Sequence, residues 1–385
     1  MAHKLCRVLL LLLLLLTPTV SRAVELKVRV FSSNKVHQAS FTVVKGYYVL
    51  RAEGHEKTLS RFQQVTLRAE GGRVVVIRNN HRLFSASQIT LSGQHEDNIF
   101  RLIPSGLRER DYDDGLKVTA HGSHLIFINQ VELEHYVAGV VLSEVGIIEV
   151  PEYYKIQDII SRTYALQNLG RHQQDGHQLC DAEHCQVYKS RCFLPDILES
   201  ISVTRGDVIV DSSGRLITAA FHSNSGGYTL PSEAVWSGPL PYLKGVQDTF
   251  SLAMSKAFWA DTLNVSEWLA YLTRKYGLKR EDSVVHRVTR FSQPPRQTHL
   301  LPGIPLKEIR ADWRLRSTFF SIRPEGNKVI FEGRGWGHGV GLSQQGAMRM
   351  ISLGHDYEEV IRYYYHGVRV IPLDSLAPPA AQDQE

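Results

Sequence analysis

Apolar and polar residues alternate with period two over residues 24–31 (Val-Glu-Leu-Lys-Val-Arg-Val-Phe), as in a strand with one buried face. Residues 40–44 and 73–77 are further short strands, with turns at Gly71-Gly72 and Asn79-Asn80. This predicts a β-rich N-terminal region over 24–114 with no evident chemistry. The pattern changes near residue 115. After a strand at 125–129, apolar positions 133, 136, 137, 140 and 141 recur at helical spacing, and the stretch ends at Glu144. Pro151 sets a boundary, and 152–169 reads as a second helix closed by Gly170. Short strands around glycines follow over 201–230, then a helix over 261–277. A last helix over 357–365 has Asp356 and Glu359 as a capping box. The prediction is an α+β chain: a β-rich N-terminal part joined to a mixed α/β domain over 115–372, with a disordered tail over 373–385. No internal repeat is present.

The first 23 residues change the picture. Lys4 and Arg7 precede an apolar run over 8–16 that includes eight consecutive leucines, and Ser21-Arg22-Ala23 supplies small residues for cleavage. That is the anatomy of a secretory signal peptide, so the chain is expected to be exported through the inner membrane, to the periplasm or the cell wall. The nine-residue apolar run falls short of the roughly 20 residues a spanning helix needs. A formal charge of +5 and 22% charged residues describe an ordinary globular protein. No dense Lys/Arg tract marks a nucleic-acid binder, and no glycine-rich loop ends in Gly-Lys-Ser/Thr as a nucleotide loop would. Removing the leader takes Cys6 with it and leaves Cys180, Cys185 and Cys192, which allows one disulfide, a metal site or free thiols.

Four stretches carry side chains suited to chemistry. The first joins Glu144 to Lys155, Gln157 and Arg162-Thr163-Tyr164-Ala165. The second is Cys180-Asp181-Ala182-Glu183-His184-Cys185-Gln186-Val187-Tyr188. The third is His222-Ser223-Asn224-Ser225-Gly226-Gly227-Tyr228, leading to Trp236 and Tyr242-Leu243-Lys244. The fourth is Gly335-Trp336-Gly337-His338-Gly339-Val340-Gly341-Leu342-Ser343-Gln344. In this order, over roughly residues 115–370, they resemble the SpoIID/LytB (stage II sporulation protein D) family. Glu144 and Arg162 keep the family's spacing of eighteen residues, but Val145-Gly146 replaces the family's Met-Pro after the glutamate. Glu149 is a rival acid.

The resemblance implies a peptidoglycan lytic transglycosylase with one catalytic acid, Glu144, acting on glycan strands stripped of stem peptides. Cooperation with a cell-wall amidase is implied, in division, at a septum or in a sporulation-like process. The rival is a non-catalytic wall-binding protein that recruits or enhances an amidase. An ordinary glycosidase needs two carboxylates. One suffices when the sugar's own 6-hydroxyl closes onto the anomeric carbon. Such an acid needs a raised pKa, and Val140, Val141, Leu142, Val145, Ile147 and Ile148 surround Glu144 in sequence. The resemblance makes Arg162, Tyr164, Gln186, Tyr188, His222, Ser223, Ser225, Gly226, Tyr242, Lys244, Trp336 and His338 substrate-binding candidates. For Arg162 and Tyr164 a salt bridge and a core ring are the alternatives.

Cys180, His184 and Cys185 supply three zinc-type ligands, with His177 or His172 as a fourth; some family members carry zinc in this loop. A 180–185 disulfide is the alternative, and uninvolved thiols another. Ser225 with His222 could pair as nucleophile and base, but the Gly-x-Ser-x-Gly elbow is missing. A strand through Tyr242 and Lys244 would put both on one face. If 333–341 is extended, its five alternating glycines leave one strand face bare.

Overall fold

Alternating residues in the N-terminal third build two facing sheets. The computed structural model describes residues 24–95, 97–236, 238–279, 281–293 and 296–376. The expected leader and the tail beyond residue 376 lie outside the described residues. One sheet runs in spatial order Leu179–Cys180, Glu25–Val30, His124–Glu132, Gly115–His121, Gln88–Gly93, Tyr48–Ala52 and His55–Leu59. The other runs Arg110–Asp113, Ile99–Pro104, Gln38–Lys45, Gln64–Glu70, Arg73–Arg78 and His81–Ala86. Their inward residues, among them Val28, Leu50, Val118 and Phe127 from one and Phe41, Leu67, Val76 and Phe100 from the other, share a single core. Asn79 and Asn80 both have positive φ, 51° and 63°, the twist a two-residue hairpin loop requires. Hydrogen bonding crosses residue 115: Gly115–His121 pairs with Gln88–Gly93, and His124–Glu132 pairs with Glu25–Val30.

The second half begins where strand His124–Glu132 runs straight into helix Leu133–Glu144. Glu132 caps that helix, accepting from the N–H groups of Glu134 and His135. Helix Tyr153–Gln167 follows and ends at Asn168, two residues before the expected glycine cap. It is shared between two cores. Tyr154 and Ala165 belong to the N-terminal core, whereas Tyr153, Ile156, Ile159 and Ile160 belong to a second core with Ile209, Leu342, Tyr364 and Tyr365.

Residues 258–334 form a third core of their own, which the hydrophobic pattern did not reveal. Trp268, Leu272, Phe320 and Phe331 pack between a three-stranded sheet and helix Val265–Tyr276. The helix expected over 261–277 starts later because residues 258–264 pair with Lys328–Arg334 as a strand. Helix Tyr357–Tyr364 is capped by Asp356, but Glu359 turns to His355 instead of completing the box. Leu373–Ser375, inside the expected tail, forms a 3-10 turn, and Leu373 packs on the N-terminal core. Among the described residues no helix is long and apolar enough to cross a membrane.

Candidate active site

A cleft of about 660 Å³ opens where the second core meets the loop after residue 180. Glu144, Tyr164, Arg171, Glu183, His184, Cys185 and Val187 line one side, and Ala220, Phe221, Trp236 and His338 the other. Glu144 is the last residue of its helix, and the chain turns there because Gly146 takes a left-handed φ of 70°. The Val145-Gly146 step is thus a helix stop. Tyr154 fixes it, donating from its hydroxyl to Gly146 O at 2.8 Å and accepting from Ile148 N–H at 3.3 Å. Burial raises the Glu144 pKa above the ordinary 4.5, and the nearby charge of Glu183 adds to this. The Val187 N–H, donating to Glu144 Oε1 at 2.8 Å, and Lys189 pull the other way. A helix C-terminus disfavours a carboxylate as well. The raised pKa suits this group to delivering a proton. Glu149 is exposed and does not line the cleft.

Beside Glu144 sits a cluster of ligand-type side chains. His172 joins Cys180, His184 and Cys185, their ligand atoms all within 4.8 Å of one another. A tetrahedral zinc with bonds of about 2.0–2.3 Å has ligand-to-ligand edges of roughly 3.3–3.8 Å. The observed separations are 3.2 Å for Cys180 Sγ to His184 Nε2, 3.3 Å between the two Nε2 atoms, and 3.4 Å for Cys185 Sγ to His172 Nε2. The set therefore fits the ion. Asp175 Oδ2 lies 3.5 Å from His172 Nδ1, the outer partner that orients a ligating histidine. The three thiols are free, so the disulfide alternative is not formed. Burial pushes the Cys185 thiol up to about 12, and a bound cation would draw its proton off. His177 stacks on His172 outside this set.

Of the residues expected at the site, the cleft collects Glu144, Tyr164, His184, Cys185 and His338. Tyr164 accepts from Arg171 at 2.6 Å and donates to His184 O at 3.2 Å, tying helix to loop. Arg162 is elsewhere: fully buried, it grips both carboxylate oxygens of Glu134, at 2.9 and 2.5 Å, and donates to Asp207 O. Tyr188 is a core ring donating to Asn129, and Gln186 lies buried near Tyr136. Ser225 donates to Asp248 at 2.6 Å and contacts Ser251, while His222 Nδ1 donates to Val340 O, so no nucleophile–base pair exists between them. Ser223 accepts from Lys256. Tyr242 is buried, its hydroxyl accepting from Thr218 N–H, and Lys244 is exposed. The two do not share a strand face because a turn at 241–242 and irregular backbone at 243–244 replace the expected strand.

The glycine run is also not extended past Arg334. Gly335, Gly337, Gly339 and Gly341 all have positive φ, and a Cβ on Gly226 would lie 2.8 Å from Gly335 N. The glycines let two backbone segments touch beneath the cleft, which leaves Trp336 outward under Lys256 and Arg316. His338 donates from Nε2 to Phe221 O at 2.9 Å and accepts the Val340 N–H at Nδ1. Burial lowers its pKa to about 4, so it is neutral and braces the wall. Of the two histidines expected as a fourth ligand, His172 joins the set, and Arg171 and Glu183 are the cleft residues that sequence reasoning did not single out.

The sequence model of the stage II sporulation protein family matches residues 121–210. The chain is 30% identical over 267 residues to stage II sporulation protein D of Bacillus amyloliquefaciens, covering 65% of this chain and 77% of that one. It is also 30% identical over 270 residues to stage II sporulation protein D of Bacillus subtilis (strain 168), with the same coverage of 65% and 77%. It is 24% identical over 278 residues to an amidase enhancer of Bacillus subtilis (strain 168), covering 56% of this chain and 37% of that one.

Proposed function

From the premise that the chain belongs to the stage II sporulation protein D family, we propose that it is an exported, cell-wall-directed lytic transglycosylase. Its reaction cuts the β-1,4 bond after N-acetylmuramic acid in glycan strands and leaves 1,6-anhydro ends. The observation that carries this is Glu144: a carboxyl whose pKa burial raises, fixed by the Val187 N–H, in a cleft of about 660 Å³. Glu144 donates its proton to the leaving glycosidic oxygen. The resulting carboxylate takes the proton of the sugar's 6-hydroxyl as that oxygen bonds to the anomeric carbon, so the acid is regenerated and no water is consumed. Tyr164 and Trp236 offer a hydroxyl and a ring for seating the sugar.

His172, Cys180, His184 and Cys185 hold a zinc ion in this reading. Four protein ligands would complete its coordination, and the ion would then tether the 180–187 loop that presents the Val187 N–H. Export follows from the leader at 1–23, and an amidase that strips stem peptides is the expected partner.

A second reading, a wall-binding protein that enhances an amidase without cutting, is favoured by the similarity to an amidase enhancer. One experiment separates them. Purified protein is incubated with peptide-free glycan strands and the ends are resolved by mass. Anhydro ends with the parent and none with Glu144→Gln support cleavage; strand binding without new ends leaves the enhancer reading in its place.

A further inference from the structure

Behind His338 lies a second, smaller space of about 40 Å³, enough for roughly three waters or one carboxylate group. Arg310, Lys307, Thr298, Thr318 and His338 line it. Arg296 reaches its edge, with Nη2 3.5 Å from Thr318 Oγ1 and Nη1 donating to Tyr228 O at 2.6 Å. The Nε atoms of Arg296 and Arg310 are both buried and have no hydrogen-bond partner among the described residues. Burial lowers the Arg296 pKa to about 9 and Arg310 repels it further. Burial lowers that of Arg310 too. Among the described residues no carboxylate offsets either charge. Both side chains are half-buried, and two guanidinium groups that repel each other there favour an anion beside them. The described residues supply the cations and the cavity, but no anion.

We propose that Arg310, with Arg296 and Lys307, forms an anion subsite that takes the free lactyl carboxylate of a muramic acid residue bound in the cleft. The inference rests on the glycan reading of the cleft. His338 lines both spaces, and Ala234 and Val235, which line the smaller one, immediately precede Trp236 in the larger. The two spaces therefore share His338 as a wall and neighbour each other along residues 234–236. A planar carboxylate matches the guanidinium fork, which offers two parallel donors. On a strand that still carries its stem peptide, the same carboxyl group is an amide, uncharged and extended by a chain the cavity cannot hold. The subsite thus selects peptide-free strands by charge and by size together.

The test uses the full chain with Glu144→Gln, so that ligand stays uncut, and two probes. One is a peptide-free glycan tetrasaccharide with free lactyl carboxylates; the other is the same tetrasaccharide with each carboxylate converted to its methylamide. With Arg310 intact the acid should bind at least about tenfold tighter than the amide, the worth of one charged hydrogen-bonded contact. Arg310→Met should erase that preference and leave amide binding within about twofold. Equal binding of the two probes by the Arg310-intact protein overturns the subsite while the cleft remains a glycan site. A preference that persists in Arg310→Met also overturns it. Failure of both probes to bind the Arg310-intact protein overturns the glycan reading itself. Amide binding by the Met variant reports its folding, and the comparison on the Arg310-intact protein decides without it.

Discussion

Helix Leu133–Glu144 ends in carboxylates at both termini, and the two are treated in opposite ways. Glu134, in the first turn, is buried, paired through both oxygens with Arg162, and accepts the Gly206 N–H as well. The positive end of the helix suits its charge. Glu144, at the last residue, faces a cleft, has one backbone N–H as its direct partner and sits at the end that disfavours charge. A carboxylate whose lone pairs are all engaged can only hold the structure together. One that is short of donors has its pKa raised and is suited to give a proton away. The same residue type on one helix is a brace at one end and an acid at the other, and partner supply decides which.

The largest effect that could break this contrast is chemical. Glu144→Gln should cut the rate of anhydro-end formation by about 10²–10⁴-fold, the usual contribution of a positioned general acid, with little change in melting temperature. A residual rate within tenfold of the parent would place the acid elsewhere. At the other end, Glu134→Gln strands the Arg162 guanidinium in the core and should cost about 3–5 kcal/mol in urea unfolding. Activity per folded molecule should change far less than in Glu144→Gln. The pair of changes Glu134→Leu and Arg162→Met should recover part of that stability, because no charge is left buried alone.

A smaller effect comes through the loop. Stripping metal, or Cys180→Ser, should lower the melting temperature and reduce activity by about tenfold, since one hydrogen bond to a charged group is worth about 1.5–3 kcal/mol. Elemental analysis should find one zinc per parent chain, and an unchanged melting temperature after stripping would detach the cluster from the fold. The smallest effect is a shift in pH dependence. The proton donor must be protonated, so the rate falls as pH rises through the raised pKa of Glu144. Glu183→Gln should move that falling limb to lower pH and Lys189→Met to higher pH, each by less than about one unit because both groups are exposed. Stability follows the same sign: with the folded pKa raised, the contribution of protonated Glu144 is complete below its unfolded pKa. That contribution is lost as pH climbs through the folded value.

Local rules made some of this legible. Period-two alternation located the N-terminal strands, and Asn79-Asn80 marked a hairpin loop, because both signals act between near neighbours. The ligand types at 180–185 were likewise evident from their composition. What stayed hidden depends on distant partners. Nothing near Arg162 announces that Glu134, twenty-eight residues earlier, neutralises it. Alternation of glycines over 333–341 matched a strand, yet positive φ at four of the five turns the segment into a loop. Residues 258–334 carry an ordinary apolar pattern, and only their closure on each other makes them a separate core. Tyr242 and Lys244 parted company because a turn running into irregular backbone has no alternating faces.

The helix Tyr153–Gln167 contributes side chains to two cores at once. Its amides are therefore open to solvent only when both cores come apart, which makes it part of the last unit to exchange hydrogen. Residues 258–334, with a core to themselves, have no such obligation and can open first. The protein thus has a ranking of local openings, in which the subsite's arginines ride on the early unit and the acid is mounted against the late one. Ligand that bridges the two, from Glu144 past His338 to Arg310, would bring their openings into step.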